Sequence, residues 1–349
     1  MKKILTTLCA VAMLAGCTAG GSKKSSTNTA STKEETAATV MVGTGSVTNV
    51  SNKTKEGSDT TAQFDTTFAS VVLEGNVIKY VYFDVAQDKV TYDATGHVTS
   101  DNTASTSKKA LGDKYGMKDK SSIKKEWYEQ VEALEKWAVG KTVEEVLNMP
   151  TTQKDEKHTV SADKDLMTGC TIGVTAFQQA LDKAAKNAVE VKDVASVGSA
   201  ILTKVSGKDA SAEKSGEAKA SSTYGVVALD KDGKVVFTQT DVAQNAVKFT
   251  TAGALDGEAV AIATKGEKKD EYGMKKVSSI GKEWFEQNQA YDDWTVGKTG
   301  KEIADMKVTT NEGGKTVTAD KDLMTGCTIG VDSLQKVTTT AIEATTKLN

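Results

Sequence analysis

The sequence predicts an α+β fold built from two tandem duplicated domains, each an antiparallel sheet packed with helices. A long internal repeat, hairpin patterns and the helical patterns that follow them lead to this prediction. The block Ala162–Val174 returns letter for letter as Ala319–Val331, 157 residues further along the chain. Because solenoid repeats are roughly 20–50 residues long, this spacing indicates duplication of a whole domain. The predicted domains span residues 40–189 and 190–349.

Composition narrows the classes of function. The chain has 349 residues, which is enough for two domains with their own cores. Its net charge is −3, and every basic residue other than the two histidines is lysine. Without an excess of positive charge, and without the guanidinium groups that clamp phosphates in bidentate fashion, nucleic acid is not expected as a partner.

The first residues are typical of an exported lipoprotein. Lys2 and Lys3 precede the apolar run Ile4–Leu14, which is too short to span a membrane and reads as a signal peptide over residues 1–16. The ending Leu14–Cys17 resembles the bacterial lipobox, which implies lipidation of Cys17. Residues 17–39 are then a polar, flexible tether, and the protein is expected on the extracytosolic face of the cell membrane, held by its lipid.

Strand patterns open each repeat. Phe68–Leu73 and Val77–Phe83 are rich in β-branched and aromatic residues and flank a Gly-containing turn, which predicts a hairpin. In the second repeat Lys231–Gly233 supplies an Asp-Gly turn, a strong hairpin signal. The polar stretch Ser206–Ser222 is predicted to be a surface loop.

Three helical segments are predicted after the strands of the first repeat. Apolar residues at steps of four, four, three and three indicate an amphipathic helix that Ser121 or Ser122 could cap; they are Ile123, Trp127, Val131, Leu134 and Trp137. A short second helix is predicted over Thr142–Met149, ending near Pro150, and a third helical pattern covers Thr171–Val189.

The repeated block draws attention to Thr171 and its equivalent Thr328. If a strand ends, Gly169 makes a turn and a helix opens at Thr171, the free N–H groups of that helix favour an anion there. A hydroxyl at the same point could carry a phosphate covalently. The alternative is that Thr171 only caps the helix, which is an ordinary use of threonine.

The block also resembles a family signature. Asp165–Thr171 and Asp322–Thr328 are similar to the Asp-x-x-(Ser/Thr)-Gly-Ala-Thr motif of the FMN-binding domain family. The family includes flavin-carrying subunits of sodium-pumping NADH:quinone oxidoreductases and twin-domain flavin lipoproteins of extracellular electron transfer. The resemblance implies that an exported flavin transferase, which uses FAD and a divalent metal, joins FMN to Thr171 and Thr328 through phosphoesters. Here Cys170 and Cys327 stand where the family usually has alanine.

The resemblance implies one cofactor-binding set for each repeat and no catalytic or metal-ligating residue. Tyr115 and Tyr272, from a repeated Tyr-Gly-Met-Lys motif, are candidate neighbours of the flavin ring, as are two methionines of the block. The remaining members come from the block itself: Thr171, Thr168, Gly169, Cys170, Asp165 and Met167 in the first repeat, and Thr328, Thr325, Gly326, Cys327, Asp322 and Met324 in the second.

The implied function is an extracytosolic electron carrier with two covalent FMN groups, a redox carrier rather than a stand-alone catalyst. It would take electrons from a membrane NADH or quinone reductase and pass them to extracellular acceptors. Two alternatives stay open at this point. The chain could be a flavin-carrying accessory subunit of an extracellular reductase, or a non-redox surface lipoprotein in which both threonines are helix caps.

Overall fold

Long antiparallel strands dominate the chain. The structure, a computed structural model, describes residues 39–101, 104–156 and 158–348. The signal peptide, Cys17 and the tether up to residue 38 lie outside the described residues. The described strands are β1 (Val40–Thr54), β2 (Thr60–Glu74), β3 (Val77–Tyr92), β4 (Ala104–Ser105), β5 (Thr151–Gln153), β6 (Thr159–Ser161), β7 (Val189–Val191), β8 (Ser196–Lys208), β9 (Gly216–Leu229), β10 (Val235–Phe249), β11 (Val308–Thr310), β12 (Thr316–Thr318) and β13 (Thr346–Lys347).

The longest described helices have 12 residues, and the helices recur in the same order in the two repeats. Within the described ranges they are α1 (Lys108–Leu111), α2 (Trp127–Ala138), α3 (Val143–Leu147), α4 (Lys164–Met167), α5 (Thr175–Lys186), α6 (Lys265–Lys268), α7 (Trp284–Thr295), α8 (Gly300–Ala304), α9 (Lys321–Met324) and α10 (Asp332–Glu343). Two 3₁₀ turns, Gly112–Tyr115 and Lys269–Tyr272, follow α1 and α6. None of the described helices is both long and apolar enough to cross a membrane.

The long strands form two antiparallel sheets, which confirms the antiparallel α+β class, and the short strands pair separately as β5–β6 and β11–β12. The first sheet has the order β3-β2-β1-β7, and the second has the order β10-β9-β8-β13 with β4 added beside β8. The predicted hairpins are present, with turns at Glu74–Val77 and Leu229–Val235. The predicted loop over Ser206–Ser222 is wrong, because β8 continues to Lys208 and β9 begins at Gly216.

The inner faces of the two sheets pack against each other. The rings of Tyr92 and Phe249, which occupy equivalent places in the two repeats, stack with centroids 3.8 Å apart and planes 7° from parallel. The Ser70 and Ser199 hydroxyls are 2.6 Å apart in the same interface. Residues 37–349 therefore form one compact unit in which both repeats contribute to a shared β-sandwich core.

The outer faces of the sheets carry the helices and two further cores. One apolar cluster joins β2 and β3 to α2 and α5 of the first repeat, and clusters around α7 and α10 do the same in the second. The layers are thus helix, sheet, sheet and helix. The predicted boundary at 189/190 cuts through β7, which pairs with β1 of the first repeat.

The cap of α2 differs from the sequence prediction. Ser121, Ser122 and Ile123 precede the helix, which begins at Trp127. Glu126 is the N-cap, and its backbone N–H donates to the Glu129 carboxylate at 2.7 Å in a capping box. The helix therefore starts with Trp127, and this places Gln130 in the first turn, facing the repeated block.

Candidate functional site

The repeated block contains a short helix that the sequence pattern did not indicate. In the first repeat α4 begins after Asp163, whose carboxylate accepts hydrogen bonds from the N–H groups of Asp165 and Leu166 at 3.1 and 2.9 Å. The next helix, α5, begins only at Thr175, and its N-cap is Val174 with no side-chain cap. Both predictions about a helix at Thr171 are therefore wrong: Thr171 neither caps a helix nor lies at its N-terminus.

Thr171 lies in the irregular segment between the two helices and is held by a side chain from α2. Its N–H and its hydroxyl both donate to Gln130 Oε1, at 2.9 and 3.2 Å. Gln130 is 1% exposed, and its Nε2 donates to Ser121 Oγ and to the Lys125 carbonyl, both at 3.1 Å. Because the Lys125 carbonyl can only accept and the Thr171 N–H can only donate, the amide oxygen must face Thr171, and the Thr171 hydroxyl therefore has a defined direction.

The second repeat has the same arrangement. The Thr328 N–H and hydroxyl donate to Gln287 Oε1 at 2.8 and 3.0 Å. Gln287 Nε2 donates to Ser278 Oγ and to the Lys282 carbonyl, both at 3.0 Å. In both repeats the threonine is half-buried. The proton of each hydroxyl points inward to the amide, so its oxygen lone pairs stay available to a reagent that approaches from outside.

Gly169 and Gly326 bring the block against the helix that carries the glutamine. A Cβ on Gly169 would lie 2.7 Å from Ala133 Cβ, and one on Gly326 would lie 2.8 Å from Ala290 Cβ. The same position is 3.8 Å from Lys125 Nζ in the first repeat. Glycine is therefore needed for close packing, and a lysine ammonium lies beside each block.

The two cysteines next to the threonines are structural. Cys170 and Cys327 are fully buried and free. Burial raises the pKa of each thiol to about 11, so both are protonated at neutral pH. They pack as small apolar side chains.

The other members of the predicted set lie on the exposed side of the block. Asp165 and Thr168 are exposed, and the Thr168 hydroxyl donates to the Asp165 carbonyl at 2.8 Å. Asp322 and Thr325 repeat this contact, also at 2.8 Å. Met167 and Met324 are 42% and 46% exposed, which is unusual for methionine and leaves two apolar side chains open to a ligand.

An aromatic pair with a lysine above it lies at the start of each helix that carries the glutamine. The rings of Tyr115 and Trp127 have centroids 6.3 Å apart, and Lys108 Nζ is 5.1 and 5.4 Å from them. Trp127 precedes Gln130 by three residues, so the pair and the Thr171 contact share one end of α2.

The second repeat has the same trio. Tyr272 and Trp284 have ring centroids 6.4 Å apart, and Lys265 Nζ is 5.5 Å from each of them. Sequence reasoning identified the tyrosines but missed the lysines and both glutamines. Their recurrence at a spacing of 157 residues was the signal that could have found them.

The described acidic, histidine and cysteine side chains do not assemble a metal centre. Among the described residues, no group of three or more His, Cys, Asp or Glu side chains could hold a metal ion. His97 and His158 lie in surface turns, 3.0 Å from an Asp209 oxygen and 2.8 Å from an Asp155 oxygen respectively.

No protein-family model, curated protein or solved structure matches this chain.

Proposed function

We propose that this chain is a membrane-anchored, extracytosolic electron carrier with two FMN groups attached through phosphoester bonds to Thr171 and Thr328. The observation that carries the proposal is the twin Thr–Gln contact. Two half-buried hydroxyls, in blocks of identical sequence, are each oriented by a buried amide. A plain structural threonine does not need this arrangement, whereas a modification site needs an accessible oxygen with a fixed direction.

The residues around each threonine fit a phosphate diester. Lys125 and Lys282 lie beside the glycine of each block and can offset its negative charge. In the first repeat Lys154 Nζ also donates to the Thr171 carbonyl at 3.1 Å. Tyr115, Tyr272 and the exposed methionines Met167 and Met324 offer apolar surface for a flat ring. FMN, when bound, supplies one- and two-electron transfer.

Attachment requires a second protein. The Thr171 or Thr328 oxygen would form a bond to the phosphorus of the FMN half of FAD, the pyrophosphate bond would break, and AMP would leave. The hydroxyl proton would pass to a base of the flavin transferase, because Gln130 and Gln287 accept hydrogen bonds but are not bases. A covalent link keeps the cofactor on an exported protein, where a dissociated molecule would be lost by dilution.

The remaining parts of the proposal follow from an exported, lipidated chain. Cys17 would anchor the protein, and residues 18–39 would separate the folded unit from the membrane. A membrane NADH or quinone reductase would supply electrons, and extracellular acceptors would receive them.

The direct test is the mass of protein exported together with an active flavin transferase. Two FMN increments are expected in the parent protein, one in Thr171→Ala or Thr328→Ala, and none in the double variant. Thr175→Ala, which changes an exposed threonine four residues after the first site, is the matched control and should keep both increments. Unmodified parent protein, with the transferase shown active on another substrate, would overturn the proposal and favour a non-redox lipoprotein.

Gln130→Ala should affect flavin attachment at Thr171 and leave attachment at Thr328 unchanged. The Thr171 N–H loses its acceptor, which is expected to cost about 1–3 kcal/mol of stability, and the hydroxyl loses its direction. We expect lower FMN occupancy at Thr171 and full occupancy at Thr328, as measured on peptides from each repeat. Gln179→Ala, which removes an exposed glutamine of the same repeat, is the control. Equal occupancy of Thr171 in both variants would show that the amide does not position the hydroxyl.

A further inference from the structure

The two sites differ in charge although their threonines, glutamines and aromatic pairs are the same. In the second repeat the relevant positions are Lys265, whose ammonium lies over the Tyr272–Trp284 pair, and Lys315 and Lys219, whose charges act on it. The first-repeat equivalents are Lys108, His158 and Gln63. Two of the three cationic positions of the second site are thus replaced in the first.

The equivalence of these positions rests on structure as well as on spacing. Lys108 and Lys265 both lie over a Tyr–Trp pair. His158 and Lys315 each directly precede a short strand, β6 and β12. The remaining pair is Gln63 on β2 and Lys219 on β9. Two residues further along each strand, Asp65 and Ser221 accept a hydrogen bond from glutamines that are equivalent in the two repeats. These bonds are Gln87 Nε2 to Asp65 and Gln244 Nε2 to Ser221, at 2.8 and 2.9 Å.

Lys265 is the centre of the second group. Its ammonium lies over the faces of Tyr272 and Trp284, 5.5 Å from each ring centroid. Burial, and then the charges of Lys315, Lys219 and Lys268, lower its pKa to about 8, although the nearby carboxylate of Asp241 acts in the opposite direction. An anion bound beside a partly desolvated cation with cationic neighbours would stabilise its charged form.

Lys315 and Lys219 complete the group. Lys315 Cβ is 3.9 Å from the position that a Cβ on Gly330 would take, two residues after Thr328. Lys219 lies 3.8 Å from a Glu217 oxygen, so its charge is only partly offset. In the first repeat the corresponding side chains each contact a carboxylate: His158 Nδ1 is 2.8 Å from Asp155, and the neutral amide of Gln63 donates to Asp65 at 2.7 Å.

We propose that Lys219, Lys265 and Lys315 form a binding site for a multivalent anion, a phosphate or a polycarboxylate, beside Thr328, and that the Thr171 site lacks it. The inference goes beyond the flavin proposal, because the lysines are present in the unmodified chain. An anion there would replace the lost hydration of Lys265 and relieve the repulsion among the three ammonium groups. The two sites would then differ in the ligands that they attract and in the charge that surrounds an attached group.

The test measures the binding of inorganic pyrophosphate to the unmodified full chain by calorimetry at low ionic strength. One binding event per chain is expected. The double variant Lys219→Gln/Lys315→His gives the second site the residues of the first and should bind about tenfold more weakly or worse. Lys55→Gln/Lys192→His removes the same charges from the β1–β2 turn and the residue after β7 and should bind like the parent.

The reciprocal variant Gln63→Lys/His158→Lys tests sufficiency and should add a second binding event. NMR of ¹³C-methylated lysines supplies an independent measurement, in which pyrophosphate should raise the pKa of Lys265. Equal affinity of the parent and the Lys219→Gln/Lys315→His variant, with circular dichroism showing both folded, would overturn the proposal.

Two further titrations identify the source of the anion. Citrate in place of pyrophosphate tests whether carboxylates are accepted. Flavin-loaded protein tests whether an attached phosphate already fills the site, in which case free pyrophosphate no longer binds. The main experiment needs no flavin, so its failure is distinguishable from failure of the flavin proposal.

Discussion

Gly198→Ala is expected to lower the free energy of unfolding by about 3 kcal/mol or more. Gly198 lies on β8 where α10 crosses the outer face of the second sheet. A Cβ added there would lie 1.9 Å from the Ala341 carbonyl oxygen, which is a backbone atom of the helix. A side chain could rotate away, but this oxygen can retreat only if the whole helix shifts and opens the core beneath it.

The first repeat offers a duplicate of this experiment. In Gly43→Ala the new Cβ would lie 2.4 Å from the Ala184 carbonyl oxygen of α5, so a similar loss is expected. Gly173→Ala is the control, because its nearest atom, His158 Cδ2, is 3.6 Å away at ordinary contact distance. Urea unfolding followed by tryptophan fluorescence and circular dichroism measures all three. A urea unfolding curve of Gly198→Ala that matches the curve of Gly173→Ala would contradict the close packing of α10 on β8.

The structure also predicts that damage in one repeat spreads to the other. The stacked rings of Tyr92 and Phe249, and the paired hydroxyls of Ser70 and Ser199, lie between the sheets. Neither sheet can lose its shape without exposing the inner face of its partner. The sequence indicated a duplication but gave no sign of this shared core, because residues that face each other across a sandwich leave no local pattern.

Local chemistry explains which elements could be predicted. The hairpin turns were correct because their glycine and the flanking β-branched residues act within a few positions. The first half of β9 was missed because small residues fill its inward positions, such as Ala218 and Ala220, both buried. Alternation of alanine with serine or lysine gives a weak hydrophobic signal, so the stretch read as a polar loop.

The sequence identified the two threonines of the candidate site but not the residues that hold them. Repetition of the block identified Thr171 and Thr328, whereas Gln130 is 41 residues away from Thr171 along the chain. A glutamine in an amphipathic helix carries no sign that it is buried. The helix starts later than expected because α4 takes up the first part of the block and an irregular segment separates it from α5.

The largest expected effect of a single charge is at Lys109, near the first site. Lys109 Nζ donates to Glu135 Oε1 at 2.7 Å, and the Phe83 N–H donates to the same oxygen at 2.6 Å. The two side chains are 15% and 14% exposed. Lys109→Met leaves the buried carboxylate without its cation, and we expect this to cost about 3–5 kcal/mol at neutral pH.

The stability loss in Lys109→Met should depend on pH, in a direction that follows from the pKa of Glu135. Burial raises the pKa of Glu135 above its usual range even though Lys109 opposes the shift. A carboxyl whose pKa is higher in the folded than in the unfolded protein stabilises the fold at low pH and loses that contribution as the pH rises. Without Lys109 the pKa rises further, so the variant should lose less stability at pH 5 than at pH 7.5 in urea unfolding experiments.

A second substitution separates charge from packing. In Lys109→Met/Glu135→Gln the amide oxygen can still accept from Phe83 without a net charge, so most of the lost stability should return. The second repeat has a buried carboxyl without a lysine partner, because Gly266 and Asp292 occupy the positions equivalent to Lys109 and Glu135. Burial raises the pKa of Asp292 well above its usual range. Its carboxyl accepts from the Thr240 N–H and hydroxyl at 3.0 and 2.7 Å and needs no cation. If the double variant stays as unstable as Lys109→Met, the unpaired charge of Glu135 does not cause the loss. The loss then comes from the lysine side chain, whose Nζ lies 3.8 Å from the Tyr82 ring centroid.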